Sequence, residues 1–222
     1  MRPTLFGTVA GSAAVTPIAL VNHVAVGCVA ADATSAAIDT TGATLLVIAQ
    51  AGLNAGTPTP TDSKGNTWTA LTEYAGGNLS VRLYYCANPT VGTGHTFTAL
   101  WGGGSYASIA VAAFSGTLNA APDASGGAGS ASGTTQQPGL LTPSVDNCLV
   151  VTGFMYVSGT VPGPATISAG FNVTDDIGNA TTTIPVAMAY QVQTTATGVN
   201  PTWSSNVAAE RVAAAMAVFK HV

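Results

Sequence analysis

The stretch from Asn206 to Val222 reads NVAAERVAAAMAVFKHV, and whether it coils or extends decides the fold. Ala, Glu, Arg and Met favour helix, so propensity alone makes it one. An earlier stretch, GSYASIAVAAFSG from Gly104 to Gly116, carries a similar apolar run between Gly, Ser and Tyr. That context reads as strand, apolar on both faces and so covered on both sides. The two stretches occupy matching places in two similar halves of the chain, and both are therefore read as strands.

The match between halves rests on five anchors. TTGATLLVIAQ, from Thr40, aligns with SVDNCLVVTGF, from Ser144, placing Leu46 over Leu149. Trp68 then falls over Phe171, Tyr85 over Tyr190, Phe97 over Trp203 and Phe114 over Phe219. The offset drifts only from 103 (Leu46 to Leu149) to 106 (Phe97 to Trp203), as small loop insertions would cause, and this reads as an internal duplication. Short runs of alternating hydrophobicity between Gly, Pro, Asn and Thr complete the pattern: ATLLVIAQ, NTWTAL, SVRLYYCA, HTFTAL and ASIAVAAFSG, then NCLVVTGFMY, FNVTD, PVAMAYQVQ, PTWSS and RVAAAMAVFK. In SVRLYYCA, Val81, Leu83 and Tyr85 take one face while Arg82 and Tyr84 take the other. The expected fold is all-β, a β-sandwich or jelly-roll-like arrangement of two similar halves. The expected divisions are an N-terminal arm (1–37), a first β half (38–117), a Gly/Ser/Thr-rich connection (118–144) and a second β half (145–222), both halves forming one sandwich.

Composition restricts the setting. The 222 residues are 47% hydrophobic and only 6% charged, against about 25% charged in an ordinary soluble domain. So few charges cannot cover a surface, which suits a protein held in an assembly. Net charge is −4, and the only bases are Arg2, Lys64, Arg82, Arg211 and Lys220. No basic patch can follow a phosphate backbone, so nucleic acid is not an expected partner. No apolar run is long enough for a spanning helix, so no membrane is expected. Pro17, Asn22 and His23 interrupt the apolar N-terminal stretch and argue against a signal peptide. Cys28, Cys86 and Cys148 are odd in number and far apart, and read as buried thiols rather than a disulfide or zinc framework.

PTPTDSKGNTWTA, Pro58 to Ala70, gathers Asp, Gly and Trp. Asp62 first and Gly65 fourth fit a type I turn closed by a left-handed glycine, a structural hairpin turn. A calcium loop needs more carboxylates than the single Asp62. The sialidase Asp box spaces its Asp and Gly differently. No nucleophile elbow, phosphate loop, HExxH or dinucleotide fingerprint occurs. Asp175 and Asp176, adjacent and facing opposite ways, read as a solvated hairpin end. His95 opens a strand with no partner evident in the sequence. No catalytic residue, metal or cofactor is expected. Trp68, Phe97, Phe114, Phe171, Trp203 and Phe219 are expected core aromatics, matched between the halves. Trp101 and Tyr106 flank GGGS and are expected to touch a neighbour or a ligand.

The strings TTGATLLVIAQ, TDSKGNTWTALT, VRLYYCANPTVGTGHTFTA and SIAVAAFSGT resemble β-sandwich proteins of tailed bacteriophages and related environmental bacterial sequences. The resemblance covers Thr40 to Thr117 best and the second half more loosely. It implies a non-enzymatic virion component on the capsid surface, a head decoration (cement) protein. Its partners would be the major capsid protein and copies of itself, with residues 1–37 as a binding arm. The alternative is a carbohydrate-binding β-sandwich module of a tail fibre or secreted protein, in which Trp101 and Tyr106 would meet a glycan.

Overall fold

The computed structural model describes residues 16–28, 31–53, 58–100, 102, 106–157, 164–168, 170–177, 184–205 and 211–222. Among these residues every regular element is a strand and every ladder is antiparallel. The first half supplies β1 (Ala19–Cys28), β2 (Ala33–Thr34), β3 (Leu45–Leu53), β4 (Thr61–Asp62), β5 (Thr69–Gly76), β6 (Leu79–Ala87), β7 (Phe97–Ala99) and β8 (Ala107–Ser115). The second supplies β9 (Ala124–Ser130), β10 (Thr135–Gln136), β11 (Cys148–Val157), β12 (Thr166–Ile167), β13 (Asn172–Ile177), β14 (Val186–Gln193), β15 (Trp203–Ser204) and β16 (Arg211–Phe219). The ambiguous C-terminal stretch is thus extended. β16 pairs with β11 on one side and β9 on the other, and Val212 to Phe219 are buried. Tertiary burial on both faces overrides the helix propensity of its alanines.

Pairing order repeats between the halves. The large sheets run β1-β8-β3-β6-β5 and β9-β16-β11-β14-β13; the small ones run β2-β7-β4 and β10-β15-β12. Adding eight to each strand number of the first half produces the second. The register refines the match. Leu45 lies opposite Phe114 and Leu149 opposite Phe219, so Leu45, not Leu46, is the counterpart of Leu149. The slip matters because one residue exchanges the faces of a strand. Leu45 and Leu149 share the central core, while Leu46 faces the small sheet.

Four layers result. The large sheets meet face to face over a core that includes Leu45, Val47, Val81, Leu83, Leu149, Val151, Met155 and Met188. The outer face of the first large sheet packs on β2-β7-β4 through Leu46, Ile48, Tyr84, Ile109 and Phe97. The outer face of the second packs on β10-β15-β12 largely through Phe154, Tyr156, Ala187 and Trp203. Contacts between the large sheets obey an approximate two-fold. Tyr85 meets Phe219 at 5.9 Å between ring centroids, and Phe114 meets Tyr190, the same pair with roles exchanged, at 5.3 Å. Such reciprocity is the mark of an isologous interface, here within one chain. At its centre Ala49 faces its own counterpart, Gly153. A Cβ on Gly153 would lie 2.7 Å from the Ala49 Cβ.

The structure corrects three expectations. Residues 19–28 are not an arm: β1 pairs along β8 as an edge strand, and Ala33–Thr34 enters the small sheet. Ahead of β1 only residues 16–18 are described; residues 1–15 of the expected arm lie outside the described residues. The connection 118–144 contains two strands, β9 and β10. ASGGAGS of β9 reads as linker because its composition answers a steric demand: a Cβ on Gly129 would lie 2.1 Å from the Ala75 oxygen, and one on Gly127 2.3 Å from the Tyr74 ring. Asp175 and Asp176 are strand residues rather than a solvated turn. Asp175 pairs with His23 of β1 at 3.0 Å, while Asp176 accepts from Tyr156 Oη at 2.7 Å and from the Ala165 N–H. Burial raises the Asp175 carboxyl, outweighing the neighbouring His23, and burial followed by Asp176 raises the Tyr156 hydroxyl.

The C-terminal strand is tied to the connection. The Val222 N–H donates to the Gly116 oxygen and the Leu118 N–H to the Lys220 oxygen. Asp123 bridges Lys220 Nζ at 2.9 Å and accepts from the Ser144 N–H and hydroxyl. Lys220 above all, then the Ser144 N–H, holds the Asp123 carboxyl down at about 2.

Two outcomes follow. Gly153→Ala is expected to destabilise the protein by about 1–3 kcal/mol through overpacking. Adding Ala49→Gly restores part of that loss, so urea unfolding of the double mutant falls short of the summed single effects. Because the Asp123 pKa is depressed on folding, its contribution is present above about pH 4 and is lost as pH falls towards 2. Asp123→Asn is therefore expected to flatten the acid limb of stability against pH between those values, measured by urea midpoints.

Candidate functional site

The turn after β4 is closed by Gly65 as expected, but it is not a hairpin: β4 pairs with β7 and β5 with β6, so the chain passes from the small sheet to the large one. The Gly65 N–H donates to the Asp62 oxygen at 3.3 Å, and Gly65 sits at φ +70°, where glycine has no steric penalty. The Asp62 carboxylate does more than cap it. Oδ1 accepts from the Lys64 N–H at 2.9 Å, Asn66 Nδ2 at 3.1 Å and His95 Nε2 at 3.0 Å; Oδ2 accepts from Trp68 Nε1 at 2.9 Å. On the far side of the imidazole, His95 Nδ1 lies 2.9 Å from Thr40 Oγ1. The His95 ring stacks on Phe97 at 4.3 Å, and Trp68 meets Phe97 edge-on at 6.3 Å.

Thr40, His95 and Asp62 therefore form a hydroxyl–imidazole–carboxylate chain, the order used by hydrolytic triads. Its surroundings give it another role. Thr40 and His95 are 0% exposed, as is the Asp62 side chain. The Thr40 hydroxyl is also engaged by Gly92, accepting from its N–H at 3.1 Å and lying 3.3 Å from its oxygen. With Nε2–H donating to Asp62, Nδ1 accepts the Thr40 O–H and every polar atom has a partner. No acyl group can reach the hydroxyl. The corner locks three loops, those carrying Thr40, Asp62 and Gly92–His95, against the small sheet.

The matching corner of the second half is closed largely by apolar side chains. Asp62 lies opposite Phe97 and Ile167 opposite Trp203, so Ile167 replaces Asp62. Pro201 stands at the place of His95, two residues before the Trp203 that matches Phe97, and Phe171 replaces Trp68. Trp203 is buried, stacks on Phe154 at 5.3 Å and donates to Thr152 Oγ1 at 3.0 Å. A buried hydrogen-bonded network and an apolar cluster are thus alternative solutions to one packing problem.

Of the residues singled out by sequence, Phe97, Phe114, Trp203 and Phe219 are fully buried, while Trp68 and Phe171 are half-buried against the same clusters. Tyr106, just before β8, is 45% exposed; Trp101 lies outside the described residues. Cys28, Cys86 and Cys148 are buried and unpaired, and burial pushes each thiol up, which lowers its reactivity. The sequence hid the partners of His95, because Thr40 and Asp62 reach it only through the fold. Comparison with protein-family models, curated proteins and solved structures finds no match to this chain.

Asp62→Ala strands the His95 and Trp68 donors in a dry corner. It is expected to cost about 2–6 kcal/mol, about 1–3 for each stranded donor, with a changed Trp68 emission before unfolding. A loss below about 1 kcal/mol in urea titration would contradict the lock.

Proposed function

We propose that this protein is a non-enzymatic structural component of a virion that binds an assembled capsid shell as a decoration protein. One observation carries the reading. Leu118, Leu140, Val145 and Val192 are large apolar side chains left exposed on a chain with few charges. Leu140 is the most exposed, at 68%. Apolar side chains exposed among few charges suit an interface, whose centre is depleted of charge. The burial of the Thr40–His95–Asp62 chain is consistent with a non-catalytic role, and the phage resemblance of Thr40 to Thr117 supplies the virion setting. Partners would be the major capsid protein and further copies of this chain, with many modest contacts summed over a shell. The arm of this reading shrinks to the residues ahead of β1.

Co-sedimentation with undecorated shells of the phage encoding the sequence is the test. Saturable binding at a fixed ratio to shell subunits is expected. Leu118→Asp with Leu140→Asp should weaken it at least tenfold, about 1.4 kcal/mol per site, and removal of residues 1–15 should also weaken it. Wild-type protein that stays in the supernatant at every concentration would overturn the reading.

A further inference from the structure

The two corners differ in a second way. In the first half the turn between β4 and β5 spans residues 63–68, and its side chains reach across to the loop before His95. Lys64 Nζ donates to the Thr93 oxygen at 3.0 Å. Asn66 donates to the Thr90 oxygen at 3.1 Å and accepts from its N–H at 2.7 Å. In the second half the corresponding turn spans only residues 168–171, so Lys64 and Asn66 have no counterpart. Where they would lie, the surface opens into a cleft of about 300 Å³ lined by Ser168, Phe171, Gln191, Gln193, Thr197 and Asn200, among others.

The lining has a definite chemistry. It contains no acid and no base, but two glutamines, an asparagine and two hydroxyls beside one aromatic ring. Gln191 takes the place that Cys86 holds in the first half, where the thiol is buried beneath the turn. Gln193 is nine-tenths buried; its Nε2 donates to the Thr197 oxygen at 2.6 Å and to its hydroxyl at 2.7 Å, while its Oε1 has no partner. That oxygen is closed to solvent, so the amide open to the cleft is that of the half-exposed Gln191.

We propose that this cleft binds a neutral saccharide. Its hydroxyls would bond Gln191, Asn200 and Ser168, with a sugar face lying on Phe171. The absence of charge in the lining selects against acidic sugars and phosphate, and the volume, at the small end of ligand pockets, accommodates one or two rings. This inference does not rest on shell binding, because the cleft and the exposed apolar residues involve different side chains and either reading can fail alone.

The test is ¹H–¹⁵N NMR titration of the full chain with glucose, galactose, mannose, N-acetylglucosamine and maltose, and with glucuronic acid and inorganic phosphate. Saturable shifts of the Gln191 and Asn200 side-chain amides with at least one neutral sugar, with a Kd of about 1 mM, are expected. The half-exposed Gln191 can be replaced without touching the core: Gln191→Ala should weaken binding at least tenfold, and Gln191→Trp, which fills the cleft, should abolish it. The same spectra report whether each variant is folded. No shift with any neutral sugar, shifts that persist unchanged in folded Gln191→Trp, or preferential binding of glucuronic acid or phosphate would each overturn the proposal.

Discussion

The structure depends on how closely two large sheets can approach. Each has one face covered by its own small sheet, and its other face finds cover only against the other large sheet. Ala49 and Gly153 meet at the centre of that contact with no room for a further methyl. Around them, Tyr85 with Phe219 and Phe114 with Tyr190 repeat one aromatic contact in two orientations. Each such pair contributes about 0.5–1.5 kcal/mol beyond area burial. At the margin, β5 and β9 approach so closely that β9 must be built from Gly, Ala and Ser. One constraint therefore explains a central glycine, a glycine-rich edge strand and the reciprocity of the core.

Once pairing order is shared, differences between the halves become informative. The same corner is closed by Asp62, His95 and Trp68 on one side and by Ile167, Pro201 and Phe171 on the other. Topology does not demand the polar network. The longer turn of the first half brings its own polar side chains and uses them to fill the corner; the shorter turn of the second leaves amides facing solvent. A buried polar network serves as a lock, and its absence opens a surface on which a ligand can be recognised.

Much of this was legible in the sequence, for physical reasons. Strand patterning located ten of the sixteen described strands, because each has defined inner and outer faces. The matched aromatics pointed to two halves of one plan, and that reading makes Arg211–Phe219 extended against its propensity. The errors have equally specific causes. The register slipped by one at Leu45 and Leu46 because both are apolar and both buried, so hydrophobicity does not distinguish their faces. β9 was hidden because close backbone approach imposes the composition of a linker. β1 was hidden in an N-terminal stretch whose pairing partner lies far along the chain. The corner was half legible: turn chemistry gave Asp62 and Gly65, but the bonds to His95 and Thr40 are tertiary, and no local signal announces them.

If the two large sheets share one indispensable core, neither half is stable without the other and both unfold together. Differential scanning calorimetry tests this most directly. The account predicts one transition whose van't Hoff enthalpy equals the calorimetric enthalpy. Two resolved transitions, or a van't Hoff enthalpy near half the calorimetric value, would mean that each half carries its own stability and that the contact around Ala49 and Gly153 is incidental.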